Sequence, residues 1–521
     1  MKTFLMYKDQ DFDLQREFPL NEPALTQDLE LNTLFQAMAF GDKFIFEVAR
    51  KAVLSSLSDL DTILYRQHIL EDCLKNSSIV RNIYDVAVES IESKKKHYYW
   101  FFGSKYPSSI LHTAVGMMQV LVGFLKKLKD IAAEHADKFE SAGFTTFFAM
   151  LNKELDDEYL ASVHDHLREL RFRDGVLISA ELGRGNRGSN YVLRKSPDPK
   201  QSWLERIFAG WLEWIFAKKT PAFTLRIGNR DEMGARALGE LRGRGINLVA
   251  NALGQSVDHI INFFNLLRTE MAFYVGCLNL HDQLAKKGEP ICFPLPVGPG
   301  ERRERFKGLY DVCLALRLKQ RVVGNEVEAD DKDLLIITGA NQGGKSTFLR
   351  SLGLAQLMMQ CGMFAPAESF CANICDGLFT HYRREEDVTM SSGKLDEELS
   401  RMNGIVDNVR ANSLLLFNES FAATNEREGS EIARQIICAL LEKRIKVFFV
   451  THLYELAYGF YDKQMENAFF LRAERQADGG RTFKIIAGAP LETSYGKDLY
   501  NSIFGTDLNQ PLNQQDKQQA D

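Results

Sequence analysis

Eight consecutive residues carry the clearest chemistry in this chain: Gly339-Ala340-Asn341-Gln342-Gly343-Gly344-Lys345-Ser346. They fit the Gly-x-x-x-x-Gly-Lys-Ser/Thr phosphate loop, whose glycines let successive backbone N–H groups turn inward onto phosphate oxygens. Lys345 would neutralise β- and γ-phosphates, and the Ser346 hydroxyl would ligate Mg²⁺. A helix from Thr347 to Cys361 would add its positive N-terminal end to the same field. The pattern predicts a site for ATP and Mg²⁺.

Two later segments complete that chemistry. The apolar run Ser413–Phe417 ends in Asn418-Glu419. A glutamate at such a strand end can orient the attacking water, and Asn418 stands where an aspartate usually holds Mg²⁺ through water, keeping an oxygen without the charge. Thr451-His452 then follows the run Val447–Val450, where a histidine can reach a γ-phosphate. The alternative for Glu419 is a solvated strand-end carboxylate; the order of the three segments favours a nucleotide site.

Such a site needs strands ending level with one another. Leu334–Ile337, Leu414–Phe417 and Val447–Val450 read as strands separated by helical stretches, so residues 301–508 form an α/β domain of the P-loop NTPase kind. Upstream the pattern is helical from Asp28 to about Leu170, as in Leu54, Leu57, Leu60, Ile63 and Leu64. A strand, a glycine-rich turn and a second strand interrupt it over residues 176–195. Helical patterns resume at Trp203 and again over Ala235–Leu284, until Pro290, Pro294, Pro296 and Pro299 break the chain. The main boundary is expected near Gly300, giving an N-terminal segment 1–27, a helical region 28–300, the α/β domain and a polar tail 509–521 with too little to bury to be ordered.

Composition sets outer limits. The chain has 521 residues, 45% hydrophobic and 26% charged, with a net charge of −6. These values suit several folded domains and exclude a uniformly basic nucleic-acid coat, so any such contact must come from a local patch. Eight scattered cysteines match neither zinc nor redox spacing and read as reduced thiols of a cytoplasmic protein. The first residues lack the apolar core of a signal peptide. Ile110–Leu125 is shorter than a spanning helix and carries His112, Thr113 and Gln119, so it is expected to be a buried or interface helix, with no membrane partner.

The run Thr338–Arg350, with its asparagine and double glycine, resembles the MutS mismatch-repair family. Thr424, Gly429, Thr451-His452, Val323 and Asn325, Ala365-Pro366-Ala367 and Ser494-Tyr495-Gly496 also stand where that family's motifs do, so the resemblance covers about residues 305–505. Leu54–Leu74 resembles the family's helical core more weakly. The resemblance implies a core and lever region followed by an ATPase of the MutS and ABC type, with Asn325 and Thr347 joining the nucleotide site. It further implies a homodimer in which a loop of one subunit completes the other's ATP site. Here that loop reads Ser391-Ser392-Gly393-Lys394-Leu395, with Leu395 where the family has a phosphate-contacting serine, so that Ser391, Ser392 or Lys394 would take its place, unless the segment is a plain surface loop. The chain begins almost directly at the core, and no Phe-x-Glu wedge occurs in the first 300 residues, so no mismatch readout is expected.

DNA, double-stranded or branched, is the polymer the resemblance implies, with other repair proteins as further partners. Residues 166–244 hold 16 Lys/Arg against 9 Asp/Glu. Within them Arg184, Arg187, Arg194 and Lys195 surround the hairpin's glycines, reading either as a phosphate-contacting arm or as an ordinary solvated hairpin. Lys94-Lys95-Lys96 followed by Tyr98-Tyr99-Trp100-Phe101-Phe102 reads as a helix-packing seam before it reads as a base-stacking platform. The rival to an ATP-gated DNA clamp is a nucleotide-gated protein-interaction module that never touches DNA, which the acidic net charge permits.

Overall fold

The computed structural model describes residues 1–98, 106–172, 175–186, 188–194, 226–228, 230–384, 393–476 and 480–491. The helix expected from Trp203, the aromatic run 99–102, Ser494-Tyr495-Gly496 and the tail 509–521 lie outside them. The packing divides into two compact units, and the division does not fall at Gly300. One unit holds residues 1–3, 81–137 and 145–268; the other holds 4–80, 138–144 and 269–521.

The first unit contains the helix Pro107–His135, most of Ser77–Tyr98, Asp157–Glu169, and much of the 55-residue helix Glu232–Lys286. Pro107–His135 is longer than its apolar centre suggested, and among the described residues it is the one helix long and apolar enough to cross a membrane. Here it buries Leu111, Val115, Met118, Leu121 and Leu125. β1 (Leu177–Leu182) and β2 (Gly188–Arg194) form an antiparallel hairpin, against which Gly245 packs at Ile178. Lys94 pairs with Asp258 at 3.1 Å.

The second unit holds two sheets. The smaller is made of β3 (Leu295–Val297), β4 (Glu304–Leu309), β5 (Asn325–Glu328) and β7 (Ser369–Asn373), in the spatial order β3-β7-β4-β5. The larger is made of β6 (Leu334–Thr338), β8 (Leu378–Tyr382), β9 (Leu414–Asn418), β10 (Lys446–Val450), β11 (Ala468–Arg475) and β12 (Arg481–Ala487). Its order is β12-β11-β6-β10-β9-β8, and all neighbours pair in parallel except at the β11–β12 edge. β6 and β10 are buried at every residue, which is why they read as nearly continuous apolar runs rather than as alternating ones, whereas β8, equally buried, carries Thr380 and His381 and gives no such signal. On one face of this sheet Ile336, Phe417 and Phe449 pack against Ile437, Leu440, Leu456 and Phe460 of the helices Glu426–Glu442 and Tyr454–Asp462.

Residues 4–80 belong with these sheets because their helices bury apolar and polar groups there. Leu29 packs on Gly353, and Leu57 donates its amide to Gln360 O at 2.8 Å. Arg66, with no exposed surface, donates to Met6 O at 2.8 Å and Cys361 O at 3.3 Å and lies over the Tyr7 ring. A local helical pattern says nothing about such partners, hence the different boundary read from the chain. All eight cysteines are free thiols, and no group of metal-ligating side chains occurs among the described residues.

One buried ion pair joins the two sheets of the second unit. Lys446 Nζ, at the start of β10, donates to Glu304 at 3.2 Å and to Asn373 Oδ1 at 2.6 Å, with both charged side chains 3% exposed. Burial pushes the Glu304 carboxyl up against the pull of Lys446. Glu304→Ala, which strands the ammonium, should therefore lower unfolding stability by about 3–5 kcal/mol, while a Met pair at both positions stays near neutral. A loss under about 1 kcal/mol in urea titrations would mean that water reaches Lys446.

Candidate nucleotide site

The glycine-rich loop lies between β6 and the helix Lys345–Gln360. Three of its residues take left-handed backbone angles: Gly339 at φ +112°, Gln342 at +59° and Gly344 at +89°. Close approach, as well as φ, demands glycine. A Cβ on Gly343 would lie 2.7 Å from Ala473 Cβ and 2.9 Å from Ala340 O, neither of which is a flexible tip. Lys345 is buried, and its Nζ donates to Gly339 O at 2.9 Å and Ala340 O at 3.0 Å. Burial pulls its pKa down, Glu419 opposes that, and Arg481 adds to it.

Neighbouring strand ends bring the other groups. Val450 of β10 pairs with Ile337 of β6 and with Asn418 of β9, so the three strands finish level. Ser346 Oγ donates to Asn418 Oδ1 at 2.9 Å, joining the two residues read as metal-holding. Glu419 follows at φ +54°, its amide donating to Val450 O at 2.9 Å. A left-handed glutamate costs about 1–3 kcal/mol, and such strain gathers at functional positions. Glu419 shares one cleft of about 580 Å³ with Asn341 through Thr347, and Leu314, Leu318, Val322, Val323, Tyr310 and Phe483 form its apolar lining. The volume suits a small organic ligand with a charged end.

Of the other expected residues, one lines this cleft. Asn325 borders the cleft, but its side chain accepts from Ile485 N at 2.7 Å and donates to Phe483 O at 3.5 Å, tying β5 to β12. His452 is exposed just beyond β10 and does not line the cleft; Thr451, before it, is buried with its amide on Ile337 O. Ser391 and Ser392 lie outside the described residues, and Lys394 is half-buried at the first turn of the helix Lys394–Asn408. Arg184 and Arg194 are exposed on the hairpin, Arg194 donating to Ser179 Oγ at 2.8 Å; Arg187 and Lys195 lie outside the described residues. The apolar wall carries no motif that sequence patterns could reveal. Tyr310 and Leu314 follow a proline-rich stretch that reads as a boundary, and Phe483 belongs to an edge strand.

A glycine-rich turn after β6 feeding a helix, with Asn418 and Glu419 at the end of the parallel strand β9 and Asn418 paired to Ser346 of that helix, defines a candidate phosphate-binding site of an α/β nucleotide-binding domain. Comparison with known proteins agrees with that class. The family model for the MutS2 N-terminal domain matches residues 58–287, and that for MutS domain V matches residues 335–503. Proteins named DNA mismatch repair protein MutS are similar over part of the chain. That of Clostridium kluyveri is 30% identical over 203 residues, covering 35% of this chain and 23% of the relative. Those of Lactobacillus acidophilus (28% over 267 residues; 48% and 31%) and Lactococcus lactis subsp. cremoris (29% over 287 residues; 51% and 33%) extend further. The chain belongs to the MutS family. Its matches span about a quarter to a third of the length of these curated relatives.

The packing at Gly343 yields a test. Gly343→Ala should weaken binding of a fluorescent ATP analogue at least about tenfold, roughly 1.4 kcal/mol, with thermal unfolding little moved. Gly459→Ala, where a Cβ meets nothing within 4 Å, is the control. Unchanged affinity in the first variant would show that the loop has room to spare.

Proposed function

We propose that this protein binds and hydrolyses ATP with Mg²⁺ and works as an ATP-gated dimeric DNA clamp in DNA repair or recombination, in the cytoplasm and without mismatch readout. The observation that carries the reading is that Lys345, Ser346 and Glu419 line one cleft, with Asn418 held against Ser346. The residues fit the cofactor: a loop with left-handed Gly339 and Gly344 and the Lys345 ammonium suit phosphates, and two neutral side-chain oxygens 2.9 Å apart suit a hard cation that keeps several waters. Ser346 would hold Mg²⁺ directly and Asn418 through water. ATP supplies the transferable γ-phosphoryl group, and Mg²⁺ neutralises its charge.

The chain's own residues supply position and charge. Lys345 lies at the loop end of its helix, where its ammonium balances developing negative charge. The Glu419 turn aims a carboxylate at the cleft to orient water. His452, from its strand end, would sense the γ-phosphate, and Lys394 with Ser391 and Ser392 would cover a partner subunit's nucleotide. Closure of the two sites would swing the helical regions, alternating grip and release on the polymer. The hairpin would touch DNA phosphates through Arg184, Arg187, Arg194 and Lys195. The absence of a Phe-x-Glu wedge from the first 300 residues supports binding without preference for a mispair.

Lys345→Ala should abolish ATP binding or turnover, and Glu419→Gln should bind ATP yet hydrolyse it slowly, because the carboxylate acts in the transition state more than in binding. Sedimentation of Glu419→Gln with ATP and Mg²⁺ should show a dimer. Wild-type turnover in the lysine variant would overturn the site, and a persistent monomer would overturn the clamp.

DNA affinity should fall steeply with salt. Replacing Arg184, Arg187, Arg194 and Lys195 by Ala should flatten that dependence by about one unit of slope for each phosphate-bound cation removed. Binding of every DNA form unchanged in the quadruple variant would make the hairpin structural only, and no DNA binding by the parent would favour the protein-interaction module.

A further inference from the structure

The Glu419 turn is held from behind by groups that belong to no nucleotide motif. Two non-glycine residues in it are left-handed, Glu419 at φ +54° and Phe421 at φ +61°. Phe421 N donates to Glu398 Oε2 at 2.7 Å, wholly buried. Ser420 Oγ lies 2.7 Å from His381 Nδ1 and 2.6 Å from His381 O, and His381 Nε2 lies 3.0 Å from Glu398 O. His381, Ser420 and Glu398 thereby form a closed ring of hydrogen bonds around the two residues that follow Glu419.

The partners decide the protons. Glu398 O can only accept, so Nε2 carries the hydrogen. Burial, reinforced by Arg401, pulls His381 down to about 4, so the ring is neutral near pH 7 and its Nδ1 is bare. The Ser420 hydroxyl therefore donates, to Nδ1 or to the carbonyl beside it. The imidazole lies flat on Phe421, at 5.2 Å and 18°, and tilted against Phe417, at 5.6 Å and 55°. From the other side Gly429 abuts the turn, where a Cβ would come within 2.3 Å of Phe421 O.

We propose that His381 and Glu398 are positioning residues for hydrolysis, fixing the backbone turn that aims Glu419 into the cleft. Neither lines the cleft. Glu398 lies one turn along the helix that begins at Lys394, so a load applied at Lys394 acts on the element that grips the Glu419 turn. The function assigned to Glu398 is acceptance of one amide hydrogen bond. Its carboxyl is raised by burial above the usual range, in keeping with a role in which the charge is secondary.

This inference rests on the ATPase reading, and the experiment separates the two. Steady-state ATPase and nucleotide binding are measured for Glu398→Ala, Glu398→Gln, His381→Phe and Ser420→Ala beside Lys345→Ala. Glu398→Ala and His381→Phe should lower kcat about tenfold or more with KM and nucleotide affinity within about twofold, as for loss of a supporting shell. Glu398→Gln keeps an acceptor oxygen for Phe421 N and should recover most of the rate. His381→Phe keeps the aromatic stack, and Ser420→Ala removes one hydroxyl, so both report even where Glu398→Ala folds poorly. Full kcat in His381→Phe and Ser420→Ala overturns the proposal, as does Glu398→Gln being as slow as a folded Glu398→Ala. If the parent hydrolyses no ATP, or Lys345→Ala matches it, the ATPase reading itself falls.

Discussion

The candidate site depends on one register in the six-stranded sheet, with Val450 opposite Ile337 on one side and Asn418 on the other. Strand neighbours lie about 4.8 Å apart, so level strand ends put the glycine-rich loop, the Asn418-Glu419 pair and the residues after Val450 within reach of one ligand. A slip of one residue would reverse the facing of each side chain and move Asn418 away from Ser346. The register is strongly specified because β6, β8 and β10 are buried at every position and β9 nearly so.

Polar groups buried behind the site hold the loop's helix to its surroundings. Arg350, one turn into that helix from Ser346, pairs with Asp311 and also with Glu30, which in turn holds Arg317. Gln356 and Gln360 farther along the helix bond to each other at 2.7 Å, to Asn373 O and Cys375 O, and to Leu57 O. These bonds join Glu30 and Leu57 from the turns between the N-terminal helices, Asp311, Asn373 of the smaller sheet and Cys375 just beyond it to one helix. Removing a single partner would strand a buried charge or amide, and so the group acts as a unit.

Strain and its compensation sit side by side. Glu419 and Phe421 are left-handed without being glycine, whereas Gly429 is a glycine because Phe421 O leaves no room for a Cβ. The turn thus carries a left-handed glutamate, while the helix that faces it has room for no side chain at Gly429. The ring stack of Phe449, Phe417, His381 and Phe421 fills the space beneath it.

Much of this was legible in the chain itself. The glycine-rich loop, the three apolar strands and the polar residues at their ends are contiguous, and contiguous patterns record local backbone geometry and burial directly. The hairpin at Leu177–Arg194 announced itself through alternation and glycines in the same way. Tertiary structure alone decided the rest: that residues 4–80 pack with the sheets, that Asn325 commits its amide to β12, that His452 lies outside the cleft, and that His381 reaches Ser420 across 39 positions. Each is a pairing between distant segments. A side chain's hydrogen-bond capacity is written in its type, but which of many distant partners satisfies it depends on which segments the fold brings together.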